Sequence, residues 1–87
     1  MTKSEVLKQA YNLSVNGNFN HDSGWSYNKF KSFVEEKFKE NPEKQSIIME
    51  IELPDGWWAL KIEKIKNGLW DYFIPDTKEE NEMVLRE

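Results

Sequence analysis

A chain of 87 residues without cysteine is one domain near the lower size limit for unassisted folding, and it has neither disulfides nor thiolate metal sites to lean on. Four tryptophans, three tyrosines and five phenylalanines supply the means for a core, since each ring buries roughly 150–250 Å². The net charge of −4 argues against non-specific attraction to phosphate backbones and favours solubility or basic partners. No apolar run approaches the roughly 20 residues of a membrane span, and "MTKSEVLKQAYNL" has no apolar stretch of signal-peptide length. The expected location is therefore cytoplasmic, with no membrane partner.

The first helix is expected to begin at Thr2, whose hydroxyl caps the first turn while Glu5 reaches back to complete a capping box. Val6, Leu7, Ala10, Tyr11 and Leu13 follow helical spacing, and Asn16-Gly17 supplies residues that stop helices in the left-handed conformation. "NGNFNHDSG" has turn chemistry throughout, with Phe19 as its one anchor into the core. A second helix starts at Ser26 as N-cap, with Trp25 and Phe30 placed as a hydrophobic staple. Phe30, Phe33, Val34 and Phe38 share one face of it, and Asn41-Pro42 ends it.

From Ile47 the apolar period changes to two, the spacing of a strand. "LPDGW" is a turn in which Pro54 presets the angle and Gly56 takes positive φ; Asn67-Gly68 is a two-residue hairpin signal, and Pro75 stops the third strand. The expected fold is α+β: two N-terminal helices on one face of a three-stranded antiparallel meander. Residues 1–75 form the domain, and an acidic tail, residues 76–87, is frayed or forms a short helix capped by Thr77 and Glu80. That tail holds Asp76, Glu79, Glu80, Glu82 and Glu87 against Lys78 and Arg86.

The turns set an expected register. A three-residue connection pairs Leu53 with Trp57 and Ile51 with Ala59; the Asn67-Gly68 turn pairs Lys66 with Leu69, Ile65 with Trp70 and Lys64 with Asp71. One face then carries Ile47, Met49, Ile51, Leu53, Trp57, Ala59, Ile65, Trp70, Tyr72 and Ile74 beneath the helices, with Lys61 and Glu63 as its only charged members. The other carries Trp58, Leu60, Ile62 and Phe73 as an apolar ridge facing water, bordered by Glu50, Glu52 and Asp71. Exposed apolar ridges of this size mark contact surfaces.

Catalytic signals are thin. His21, Asp22 and Ser23 are neighbours in the chain, and such neighbours seldom converge as a nucleophilic triad. No metal-ligand spacing or phosphate-loop fingerprint is present, so no metal and no cofactor are expected, and no catalytic residues are assigned. The function that suits these features is non-catalytic protein binding, as a stoichiometric inhibitor or regulator of the antitoxin, immunity-protein or phage anti-host type. Trp58, Leu60, Ile62 and Phe73 would anchor the partner, and Glu50, Glu52 and Asp71 would supply charge complementary to a basic enzyme such as a nuclease. The alternative is single-stranded nucleic acid stacked on Trp58 and Phe73 with Lys64 and Lys66 on its phosphates. The acidic balance disfavours it.

Overall fold

A computed structural model of the chain describes residues 1–87. Helices α1 (Lys3–Leu13) and α2 (Tyr27–Glu40) precede strands β1 (Ser46–Leu53), β2 (Gly56–Lys64) and β3 (Trp70–Phe73), and α3 (Lys78–Leu85) follows. The strands form one antiparallel sheet in the order β1-β2-β3. No helix is long and apolar enough to cross a membrane.

Local chemistry explains the helix starts. The Glu5 backbone N–H donates to Thr2 Oγ1 at 3.2 Å, and the Thr2 N–H donates to Glu5 Oε1 at 2.9 Å, so the capping box forms in full. Ser26 Oγ accepts from the Lys29 N–H at 3.1 Å and Thr77 Oγ1 from the Glu80 N–H at 3.1 Å. α1 ends at Leu13, ahead of Asn16 and Gly17, which both have positive φ. Gly17 is also a point of close approach. Its C=O accepts from the Trp25 N–H at 2.9 Å, and a Cβ added there would lie 2.3 Å from the Trp25 carbonyl oxygen. Tyr11 Oη donates to that same oxygen at 2.6 Å.

One face of the sheet holds the core. α1 packs against β3 and α2 against β1, bringing Val6, Leu7, Ala10, Phe30, Val34 and Phe38 onto Ile47, Met49, Ile51, Trp58, Leu60, Ile62 and Trp70. Phe19 is fully buried among them, its ring centroid 4.5 Å from that of Phe30 and 6.0 Å from that of Tyr11. Trp25 packs at a tilt against Phe33 and Phe19, and Phe19 in turn stacks on Phe30.

The strand registers differ from those expected. β1 and β2 pair with Leu53 opposite Gly56, Ile51 opposite Trp58 and Glu50 opposite Ala59. The connection is the two residues Pro54 and Asp55, and Gly56, at φ +130°, is already the first residue of β2. The second hairpin pairs Lys64 with Trp70 and Glu63 with Asp71 around a 3-10 turn at Lys66–Gly68. Each hairpin is thus one residue out from the expectation, in the same direction. β1 and β3 keep their faces, and β2 alone turns over. Trp58, Leu60 and Ile62 lie under the helices, and Trp57, Ala59, Lys61 and Glu63 on the other side. The physical reason is burial: the expected register would have placed Lys61 and Glu63 beneath two helices, whereas the observed one buries only apolar groups. Lys64 consequently does not face Asp71; its ammonium lies 4.4 Å over the Phe38 ring.

Residues 76–87 are not frayed. α3 lies on the sheet face opposite the two longer helices, where Ala59 and Val84 are buried and Lys61 Nζ reaches Glu87 Oε1 at 2.7 Å. Its seat follows from Pro75, which cannot donate a ladder hydrogen bond. β3 stops before reaching Ala59, and the Asn81 side-chain Oδ1 accepts from the Ala59 N–H at 2.6 Å instead.

Candidate functional site

The face carrying α3 also carries the most distinctive side-chain cluster, and the loop between α1 and α2 builds it. Residues 15–20 lie along the outer edge of β1: the Val15 N–H donates to Glu52 C=O at 2.9 Å, the Glu52 N–H to Asn18 C=O at 3.1 Å and the Asn20 N–H to Glu50 C=O at 3.0 Å. Phe19 and Asp22 exchange hydrogen bonds of 3.1 and 2.9 Å across Asn20 and His21, both at positive φ. Positive φ at both central residues is the requirement of a type I′ turn, and Asn and His are among the residues that tolerate it. Phe19 projects into the core, and the turn carries His21 out over the opposite face of the sheet.

There the His21 ring stacks on Trp57, with centroids 4.2 Å apart and planes 27° apart. Its Nε2 is 2.6 Å from Glu50 Oε2. Asn20 Oδ1 accepts from the Glu50 N–H at 2.8 Å, and Asn18 Nδ2 donates to Glu52 Oε1 at 2.7 Å. Trp57, directly opposite Glu52 in the register, is half-buried. Farther along the same face, Glu63 faces Asp71 and Lys61 faces Phe73, which is 42% exposed. Hydrogen bonding to Glu87 raises the Lys61 pKa above its ordinary value.

The seven residues assigned to a contact surface from the sequence are thereby divided. Trp58, Leu60 and Ile62 are core, at 8%, 0% and 0% exposure, and offer no surface to a partner. The Trp58 indole N–H donates to Asp55 Oδ1 at 2.9 Å, and Lys78 covers the ring at 4.8 Å. Glu50, Glu52, Asp71 and Phe73 do share the face opposite the two longer helices. Glu50 and Glu52 also anchor the loop, and Asp71 Oδ1 accepts from the Tyr72 N–H at 2.8 Å. The stacking platform of the nucleic-acid alternative is not assembled: Trp58 and Phe73 lie on opposite faces, and Lys64 is on the helix side.

His21, Asp22 and Ser23 diverge. Asp22 Oδ2 accepts from the Trp25 indole N–H at 2.9 Å and its Oδ1 from the Ser23 backbone N–H at 3.0 Å. The Trp25 bond, with the Ser23 bond and Lys29 behind it, holds the Asp22 carboxyl below its ordinary range. No group of three or more histidine, aspartate or glutamate side chains is arranged to hold a metal. Trp57 and His21 are the members that sequence reasoning missed. The available signal was the Asn-His pair inside a turn-rich loop, which marks a tight hairpin.

Comparison with protein-family models, with curated proteins and with solved structures finds no match. The functional reading therefore rests on the chemistry of this chain.

Proposed function

We propose that the chain is a non-catalytic protein-binding domain, a stoichiometric inhibitor or regulator that docks a basic partner on the sheet face carrying α3. One observation carries the reading: Trp57 and Phe73 share a face with the carboxylates of Glu50, Glu52, Glu63 and Asp71. Aromatic anchors within an acidic surround are suited to lysine- or arginine-bearing surfaces, through ring contact and charge steering together. A basic enzyme such as a nuclease is the class of partner that this chemistry favours.

Affinity capture with three baits tests it: the wild-type chain, Trp57→Ala and Phe73→Ala. Under the proposal the wild-type chain retains a basic protein at a stoichiometry near one to one, added salt weakens the complex, and Trp57→Ala abolishes it without unfolding the bait. Retention of the same protein by both variants at undiminished affinity would rule this face out as the interface.

A further inference from the structure

A groove lies on the other side of the sheet, where the first turn of α1, the end of α2 and the second hairpin meet. It measures about 440 Å³ and is lined by Lys3, Glu35, Phe38, Lys39, Pro42, Lys64 and Trp70, within the roughly 300–1,000 Å³ range of small-ligand sites. Its chemistry is one-sided. Three ammonium groups stand against a single carboxylate, and that carboxylate is already engaged, with Lys3 Nζ 2.6 Å from Glu35 Oε2. Lys39 and Lys64 have no carboxylate partner.

Trp70 also lines the groove. Trp25 and Trp58 donate their indole N–H groups to Asp22 and Asp55, but that of Trp70, a residue only 9% exposed, has no protein acceptor and reaches solvent. Beneath the lysines the Phe38 and Trp70 rings, both buried, pack edge to face at 5.2 Å, with Lys64 4.4 Å over the first and Lys3 5.6 Å over the second. The groove therefore presents donors and positive charge with almost no free acceptor, in a chain whose net charge is −4.

We infer that this groove binds an oxyanion, a phosphate or carboxylate group borne on a small planar or apolar body, held by Lys39, Lys64 and the Trp70 indole N–H. Oxygen acceptors complement the unpartnered donors, and the body of the ligand lies against the exposed Pro42 and the methylene stems of the lysines.

The test is a titration followed by two-dimensional ¹H–¹⁵N NMR, with phenyl phosphate, inorganic phosphate and benzoate as probes and sodium chloride at matched ionic strength as the blank. The inference expects saturable shifts of the Trp70 indole cross-peak and the Lys64 amide with at least one probe. It also expects binding at least about fivefold weaker in Lys64→Gln and in Lys39→Gln, with Lys8→Gln unaffected. Saturation by the phosphates identifies a phosphate site, and saturation by benzoate alone a carboxylate site. Shifts that merely track ionic strength, or saturable shifts that persist unchanged in both groove variants, overturn the inference. The spectra themselves report whether each variant is folded.

Discussion

The two faces of the β-sheet both carry aromatic rings but differ in what surrounds and covers them. Under α1 and α2, rings and aliphatic groups from three strands, two helices and one loop close into a single core. Under the short α3, only Ala59 and Val84 are buried, and the rest of the surface is carboxylates, lysine, histidine and half-covered rings. The adjacent residues Trp57 and Trp58 sit one on each side. Identical side chains one position apart thus differ in role because the pleat alternates, and the hairpin register decides which is which.

Substitutions that act on one face only can break or sharpen this contrast. The largest effect is expected from Trp58→Ala, which removes a buried ring and leaves Asp55 without its donor; a loss of about 3–5 kcal/mol is the usual cost. Trp57→Ala should cost under about 1 kcal/mol, as half-exposed positions do. Urea midpoints of the two variants measure the difference directly, and equal losses would erase the distinction between the faces.

Gly17→Ala comes next, at about 2–3 kcal/mol, because a left-handed backbone angle and a clash with the Trp25 carbonyl act together. At Gly68, where no atom lies within 4 Å of an added Cβ, the same change should cost only about 1 kcal/mol. Thermal melts of the pair separate strain from collision. Asn81→Ala should cost about 1–2 kcal/mol by orphaning the Ala59 N–H. Its diagnostic is faster hydrogen exchange at the Ala59 amide, with the amides of β1 beneath α2 unchanged.

The smallest effect is a pH dependence. Trp25, then Ser23 and Lys29, lower the native Asp22 pKa, so its contribution is complete above the unfolded-chain value of about 4 and is lost as pH falls through the lower native value. Asp22→Asn should therefore show a flatter loss of stability below about pH 4 than the wild-type chain in acid-titrated urea melts.

The helix starts were legible in the sequence because capping is chemistry between near neighbours. Thr2 with Glu5, Ser26 with Lys29 and Thr77 with Glu80 need only three residues of context. Strand faces were less legible, since Pro54-Asp55-Gly56 reads as a three-residue connection while the chain turns on two. β2 itself held the correction: Trp58, Leu60 and Ile62 alternate with Ala59, Lys61 and Glu63, and only one of those sets belongs under helices. Weighing the cost of burying Lys61 and Glu63 above turn arithmetic would have turned the strand over. The His21–Trp57 stack was not legible by any local rule, because it exists only once the loop has docked along β1. The donor-rich groove escaped for the same reason: Lys3, Lys39 and Lys64 come from three separate elements.

Phe19 decides what kind of surface His21 and Trp57 make. A loop of asparagine, glycine and serine would ordinarily move freely, yet this one drives a fully buried ring into the middle of the aromatic cluster. It cannot swing away without emptying the core, so it is no lid. For the binding proposed above, that face is a shape already set, and association there would sacrifice little chain entropy.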